Sequence, residues 1–192
     1  MIGGGWKVSE LAVAMNGEVH GDAKLSVRQV LTDSRRLSFP EDTVFFALKS
    51  LKNDGHRYIP ELFTKGVRVF VVDHLPQVHR DKATFIIVRD TVEALQLAAA
   101  DWRKRFNLPV LGITGSNGKT VVKEWIYELL ESEFRIVRSP RSYNSQVGVP
   151  LSLFHIRKSH QLGVFEAGIS QVGEMEKLEQ MIHPEWGIFT NI

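Results

Sequence analysis

Residues 112–120 form a glycine-rich stretch whose residue types could bind phosphate. Glycines let a backbone turn tightly and bring its N–H groups close to phosphate oxygens. A helix that begins at Lys119 would add the partial positive charge of its amino end. Lys119 could then contact the β- and γ-phosphates of a nucleotide, and the Thr120 hydroxyl could coordinate Mg²⁺. We therefore predict an ATP-binding loop made of Gly115, Ser116, Asn117, Gly118, Lys119 and Thr120.

Glu166 is the candidate partner of Thr120 in binding Mg²⁺. It follows the apolar stretch Leu162–Phe165. Ligands of open α/β sheets bind beyond the carboxyl ends of the strands, which is the edge where the loop would lie. A hard cation needs oxygen ligands, and Thr120 and Glu166 supply two of them. A carboxylate at a strand end can also be an ordinary surface group, so the metal role depends on this shared edge.

The loop is flanked by the elements that it needs. A predicted strand, Val110–Thr114, precedes it, and a predicted helix, Lys119–Ser132, follows it. The full Walker pattern is not present, because it requires glycine five residues before Gly118 and Ile113 stands there. The sequence therefore predicts a variant of the common phosphate-binding loop.

Strands and helices alternate after Pro109, which predicts a mainly parallel sheet covered on both faces. The remaining elements of this part are predicted at Arg135–Val137, Leu162–Glu166 and Gly187–Ile192 for strands, and at Val149–Phe154 and Glu174–Ile182 for helices. The break at residues 107–109 places a domain boundary after Asn107, with domains at 1–107 and 108–192. Because the chain ends inside the last predicted strand, we expect the second domain to be truncated.

The first domain is predicted to be a small α/β domain, so the fold class is α/β, with this domain followed by the first half of a P-loop, mainly parallel-sheet ATPase domain. Its strands are predicted at Val27–Leu31, Val44–Leu48, Val67–Val72 and Phe85–Val88, and its helices at Val8–Met15, Tyr58–Lys65 and Thr91–Phe106. Asp90 or Thr91 could cap the last helix. Trp102 and Trp125 lie on apolar helix stripes, which predicts that both are in the core.

Composition excludes several classes of protein. Hydrophobic residues make up 43% and charged residues 24%, as in soluble globular proteins. A formal charge of +2 gives no reason to expect a nucleic-acid partner. The absence of cysteine excludes disulfides and thiolate metal sites. The sequence has no signal-peptide core and no run near the ~18 apolar residues of a membrane span, so we expect a cytoplasmic protein without membrane insertion.

The loop sequence, Thr-Gly-Ser-Asn-Gly-Lys-Thr at 114–120, resembles the T-G-x-N-G-K-T loop of the Mur ligase family, with Ser116 where threonine is usual. Other stretches extend the resemblance along nearly the whole chain: Asp33-Ser34-Arg35 with Phe45–Leu48 and Asp54-Gly55-His56; Tyr143-Asn144 with Gly148–Leu151; and Glu166-Ala167-Gly168 with Gly173-Glu174-Met175. Ser142 and Ser145 depart from the family, because asparagine is frequent at both positions.

The resemblance implies roles for individual residues. Lys119 and Glu166 would be catalytic, and a UDP-muramoyl-peptide substrate would contact Asp33, Ser34, Arg35, Asp54, Gly55, His56 and Asn144. From the residues alone, 33–35 and 54–55 are ordinary polar turns, and His56 is a surface histidine.

The family likeness also implies a reaction, which is ATP-dependent amide-bond formation in peptidoglycan precursor synthesis. The pattern from Glu166 to Glu174 is most similar to that of the member that joins D-alanyl-D-alanine to UDP-N-acetylmuramoyl-tripeptide through an acyl phosphate. The alternatives are a tripeptide-forming member, an enzyme similar to folylpolyglutamate synthase, and a non-catalytic nucleotide-binding module of a fused protein. The presence of Lys119, Thr120 and Glu166 together argues against the last.

The resemblance further implies residues downstream of Ile192. The family places a metal-binding histidine, a carbamylated lysine and an amine-binding domain there, so the 192 residues alone should not catalyse the reaction. In some bacteria the ligase-like region is fused to an alanine racemase, and the first half of this chain is similar to such fusions. A fused racemase domain is therefore one further expectation.

Overall fold

Each of two units of the chain is built on one large sheet. The computed structural model describes residues 5–50, 53–169 and 171–191. The units divide between Ala98 and Ala99, inside helix α3 (Thr91–Lys104). The boundary predicted after Asn107 lies beyond the end of this helix. Helix α3 begins where Asp90 accepts hydrogen bonds from the backbone N–H groups of Val92 and Glu93, so Asp90 is the cap.

The first unit contains a five-stranded sheet in the order β2-β7-β6-β5-β4, in which only β2 is antiparallel to its neighbour. Its strands and α-helices are β1 (Trp6–Lys7), α1 (Val8–Ala14), β2 (Glu18–His20), β3 (Ser26–Val27), β4 (Gln29–Leu31), β5 (Thr43–Phe46), α2 (Ile59–Thr64), β6 (Val69–Val72) and β7 (Thr84–Ile87). Strands β1 and β3 form a separate antiparallel pair. Sequence patterns missed β1 and β2, which are too short to show a period.

A row of aromatic side chains fills the core of this unit. The register of the parallel strands aligns Phe45 with Phe70 and Phe70 with Phe85. Their rings lie 6.4 Å and 5.6 Å apart, and all three side chains are fully buried. Burial of a phenylalanine side chain contributes roughly 1.5–3 kcal/mol. This row fixes the strand ends that carry the loops of the first unit.

The second unit confirms the predicted parallel sheet. Its strands run β11-β8-β10-β9, and every neighbouring pair is parallel. The elements are β8 (Val110–Thr114), α4 (Lys119–Leu130), β9 (Ile136–Arg138), α5 (Gly148–Leu153), β10 (Leu162–Glu166), α6 (Glu174–Ile182) and β11 (Trp186–Phe189). Ile113 is in register with Glu166, and Thr114 with Phe189. The loops after β8, β10 and β11 therefore start from the same edge of the sheet.

Helix α4 exposes an apolar stripe that the sequence placed in the core. Trp102 of α3 is buried as predicted, but Trp125 of α4 is 61% exposed, and the prediction for it is wrong. Val121 and Leu129 lie one turn to either side of Trp125 and are also exposed. Helix α4 itself carries apolar residues on most of its sides. The sequence alone therefore could not show which side packs on the sheet.

Arg103 ties the end of α3 to the end of α6. Its guanidinium is buried and donates hydrogen bonds to the carbonyl groups of Phe106, Leu108, Ile182 and His183 at 2.8–3.3 Å. Burial lowers the pKa of the guanidinium. These contacts explain why the last turn of α3 belongs to the second unit. Among the described residues, no helix has the length and apolar character needed to cross a membrane.

Candidate nucleotide and metal site

The turn after β8 requires glycine at its first position. Gly115 has a φ of +130°, and a Cβ atom there would lie 2.3 Å from Thr190 Oγ1, far inside contact distance. Gly118 has a φ of +79° and is the N-cap of α4, but a Cβ atom there would meet nothing closer than 3.8 Å. The two glycines therefore serve different purposes: Gly115 allows close packing, while Gly118 supplies a left-handed backbone.

The segment that follows β11 holds this turn in place. The Ser116 backbone N–H donates to the Asn191 carbonyl at 3.1 Å, and the Asn117 N–H donates to Asn191 Oδ1 at 2.8 Å. The Thr190 hydroxyl lies within reach of the carbonyl groups of Thr114 and Asn117 and donates its single proton to one of them at a time. The turn is thus fixed by two neighbouring strands of the sheet.

Lys119 places a positive charge over the turn. Its Nζ donates to the Gly115 carbonyl at 2.5 Å and to the Ser116 carbonyl at 3.3 Å. The ammonium group therefore lies beside the backbone that would enclose phosphate, at the amino end of α4. An anion at this position would meet both the lysine charge and the helix dipole.

Thr120 and Glu166 come together as the sequence predicted. Thr120 Oγ1 donates to Glu166 Oε2 at 3.0 Å, Ser142 Oγ lies 3.3 Å from the same hydroxyl, and Asn144 Nδ2 lies 3.4 Å from Oε2. A hydroxyl and a carboxylate at this spacing are hard oxygen donors beside a candidate phosphate loop. They fit Mg²⁺, which takes few protein ligands and several from water and phosphate.

Lys123 is the main residue of this site that the sequence analysis missed. Its side chain is fully buried, and Nζ lies 2.9 Å from Glu166 Oε1 and 3.1 Å from Glu124 Oε1. Nζ also donates to the carbonyl groups of Ser139 and Arg141. Glu166 Oε2 accepts hydrogen bonds, while Oε1 meets the Lys123 ammonium group as an ion pair without hydrogen-bond geometry. Lys123 lies one helical turn after Lys119 on the side of α4 that faces the sheet, which is the signal that could have identified it.

The close packing of Gly168 brings Asn144 to this site. A Cβ atom on Gly168 would lie 2.9 Å from Asn144 Cγ, and the Gly168 N–H donates to the Asn144 carbonyl at 2.8 Å. Asn144 had been predicted to contact substrate, and the structure places it beside the carboxylate of Glu166. Thr190 and Asn191 also belong to this site, and no sequence pattern marks them because they follow an edge strand of ordinary composition.

The residues at 33–35 form one capped turn in the first unit. Asp33 accepts from the backbone N–H of Arg35, and the Arg35 guanidinium makes two further hydrogen bonds to the same carboxylate, at 2.9 and 2.8 Å. The hydrogen bond with the Arg35 side chain is the main reason why the pKa of Asp33 is lowered. Ser34 is buried, and the side chain of Arg35 is largely exposed. Their role in substrate binding stays a prediction.

The residues at 54–56 form a second capped turn in the same unit. A Cβ atom on Gly55 would lie 2.7 Å from the Ala47 backbone, so glycine is required there. Asp54 accepts from the backbone N–H of His56, which is the main reason why its pKa is lowered, and Asp54 Oδ1 lies 2.6 Å from His56 Nδ1. Only 10% of the His56 side chain is exposed, so it is not the surface histidine suggested by the residues alone. Substrate contacts at this turn also remain predicted.

The second unit has a parallel sheet, a glycine-rich turn between strand and helix, and an acidic residue at the end of the adjacent strand. These features define a nucleotide-binding domain of the P-loop class. Residues 113–192 match the Mur ligase middle domain. The chain belongs to the Mur ligase family.

Sequence relatives agree with this assignment. The UDP-N-acetylmuramoyl-tripeptide–D-alanyl-D-alanine ligase of Treponema pallidum (strain Nichols) is 37% identical over 169 residues, which cover 83% of this chain and 36% of the relative. The ligase of the same name from Bacillus subtilis (strain 168) is 31% identical over 166 residues, covering 86% of this chain and 36% of the relative. The chain thus spans 36% of the length of these two relatives.

Solved structures show the same fold. A crystal structure of MurF from Acinetobacter baumannii superimposes with a TM-score of 0.91 and 28% identity, covering 98% of this chain and 41% of that one. The MurF ligase of Thermotoga maritima in complex with ADP gives a TM-score of 0.76 and 27% identity, covering 86% of this chain and 38% of that one. A relative with this architecture therefore binds an adenine nucleotide.

Proposed function

We propose that this chain is the nucleotide-binding part of an ATP-dependent ligase that joins D-alanyl-D-alanine to UDP-N-acetylmuramoyl-tripeptide in peptidoglycan precursor synthesis. The observation that carries the proposal is the 3.0 Å contact between Thr120 and Glu166 beside the glycine-rich turn. Binding a nucleotide without chemistry does not require a buried, fully oriented carboxylate at this position. The names of the relatives supply the substrates.

In this proposal the turn at 115–118 and Lys119 bind the triphosphate of ATP. Thr120 and Glu166 hold Mg²⁺, which neutralises phosphate charge when it is bound. Lys123 keeps Glu166 aimed at that ion. Bringing a carboxylate substrate against a phosphate requires such neutralisation, because both groups are anions.

The proposed reaction has two steps. The terminal carboxylate of the tripeptide substrate attacks the γ-phosphorus, which gives an acyl phosphate and releases ADP. The amine of D-alanyl-D-alanine then attacks the acyl carbon, and inorganic phosphate leaves with the bonding electrons. Residues 33–35, 54–56 and Asn144 are proposed to hold the UDP-muramoyl peptide.

An assay of ADP release by the complete protein tests this function. Release of more than one ADP per protein should require both the tripeptide substrate and D-alanyl-D-alanine, because only the second step uses the amine. Lys119→Ala should lower turnover by orders of magnitude. Lys158→Ala, which removes an exposed lysine of the same unit, is the matched control. ADP release that needs a different amine or acceptor would overturn the substrate assignment, and near-normal turnover of Lys119→Ala would overturn the site. The cytoplasmic location and the racemase fusion stay predictions.

A further inference from the structure

Two histidines and an aspartate meet in the first unit, and of the three only His56 is also proposed to hold substrate. Asp73 and His74 follow strand β6, and His56 comes from the turn at residues 55–58. His56 Nε2 lies 3.1 Å from Asp73 Oδ1, and His74 Nδ1 contacts the same oxygen. The three ligand atoms all lie within 4.8 Å of one another.

Asp54 determines which nitrogen of His56 faces this group. A carboxylate can only accept, so the 2.6 Å contact between Asp54 Oδ1 and His56 Nδ1 places a proton on Nδ1. In the neutral ring Nε2 then carries a lone pair, and it accepts only a long hydrogen bond, 3.4 Å, from the Asp73 backbone N–H. A lone pair 3.1 Å from a carboxylate oxygen is repulsive unless a positive charge lies between the two atoms.

His74 Nδ1 carries the proton of its contact with Asp73, and a metal would displace this proton. Its ring stacks on that of His56, with centroids 4.5 Å apart and planes 20° apart, so this exposed side chain turns when both nitrogens bind one ion. Ligand bonds of about 2.1 Å at tetrahedral angles put neighbouring ligand atoms about 3.4 Å apart. The 3.1 Å between His56 Nε2 and Asp73 Oδ1 is close to this spacing, whereas His74 Nδ1 and Asp73 Oδ1 lie closer together and would separate around an ion. In zinc sites the ring nitrogen of a ligating histidine that does not bind the metal usually donates to a carboxylate, as His56 Nδ1 does to Asp54.

We propose that His56 Nε2, Asp73 Oδ1 and His74 Nδ1 form a binding site for a divalent transition metal such as Zn²⁺, with Asp54 orienting His56. Imidazole and carboxylate suit Zn²⁺, and three protein ligands leave a fourth position open. The side chain of His74 is 62% exposed, so this position is reached from solvent. Lys49 Nζ lies 3.6 Å from Asp73 Oδ2, the oxygen that the metal does not need. Metal binding would replace the predicted direct contact between His56 and substrate.

Zn²⁺ titration of the metal-free chain tests the site. The measurement is competition with a chromophoric chelator, with Mg²⁺ in excess to occupy the oxygen ligands of the second unit. We expect one Zn²⁺ per chain. His74→Gln, at an exposed position, should abolish this binding, and Asp54→Asn should weaken it about 10–100-fold. His20→Gln, which removes a histidine outside the group, is the control and should bind like the unchanged chain.

The visible absorption of bound Co²⁺ gives a second measurement. Substituting a histidine that has only a structural role would leave this absorption unchanged. Tetrahedral or five-coordinate Co²⁺ bound to imidazole absorbs visible light, and His74→Gln should remove this absorption while its circular dichroism stays that of the unchanged chain. The proposal is overturned if the unchanged chain binds Zn²⁺ no more tightly than His74→Gln does.

Discussion

The Lys123 ammonium group and the Glu166 carboxylate neutralise each other where neither side chain is exposed to solvent. Taking two charges out of water costs several kcal/mol per ion, and only good geometry offsets this cost. Here two carbonyl groups accept from Lys123 and the Thr120 hydroxyl donates to Glu166 Oε2, while Glu166 Oε1 depends on the ammonium charge alone. The pair therefore links the stability of the second unit to the carboxylate proposed to bind Mg²⁺.

Replacing Lys123 with methionine should strongly destabilise the chain. The substitution keeps the length of the side chain but leaves the Glu166 carboxylate buried without its cation, which costs about 3–5 kcal/mol in comparable pairs. Urea unfolding followed by circular dichroism gives the free energy. In the double variant Lys123→Met with Glu166→Gln, part of the stability should return. A single variant as stable as the unchanged chain would show that the pair contributes nothing.

Gly115→Ala should disturb the phosphate loop much more than Gly118→Ala. Both residues have a positive φ, and in the left-handed region of Gly118 this costs alanine roughly 1–2 kcal/mol. Only at Gly115 does the added methyl group also collide with Thr190 and the backbone of Asn191. We expect calorimetry to show little ATP binding by Gly115→Ala and a moderate loss for Gly118→Ala. Equal losses would contradict the packing role of Gly115.

Glu166→Gln should remove the effect of Mg²⁺ on ATP binding. Glutamine keeps an acceptor for Lys123 but has no charge for the cation. The dissociation constant for ATP would be measured with and without Mg²⁺ in the variant, in the unchanged chain and in Glu176→Gln, which alters an exposed carboxylate of α6. If Mg²⁺ tightens ATP binding by Glu166→Gln as it does for the control, Glu166 is not a metal ligand.

Acidification should destabilise the second unit through His160. Burial, together with the charges of Arg157 and Arg135, lowers the pKa of this ring, and its Nδ1 accepts the Arg157 backbone N–H at 3.0 Å. Between the lowered pKa and the ordinary value of about 6.5, the unfolded chain binds more protons than the folded chain. The free energy of unfolding should therefore fall as pH decreases through this window.

His160→Asn separates this effect from other titrations. Asparagine can accept the same N–H but does not titrate, so the variant should lose less stability than the unchanged chain between about pH 7.5 and about pH 5.5. Urea unfolding at both pH values measures the difference. The same loss in both proteins would show that His160 does not carry the pH dependence.

The sequence predicted the parts of the site that depend on local patterns. Strand β8, the glycine turn and the start of α4 follow one another in the chain, and Glu166 ends its own apolar strand, so all of them could be located. Lys123 and Asn191 could not, because their contacts depend on strand order and register between distant segments. The exposure of Trp125 was missed for a similar reason, since tertiary packing alone decides which side of α4 meets the sheet.

Arg103 links, through hydrogen bonds, two segments that are almost eighty residues apart in the chain. The guanidinium binds carbonyl groups at the end of α6 and in the segment after α3, so the end of α6 cannot fray without leaving a buried charge with fewer partners. Loosening of helix α6 is thereby coupled to opening of the whole second unit. Amide hydrogens at its last turn should exchange with solvent as slowly as those of the central strands, although helix ends are ordinarily among the first to exchange.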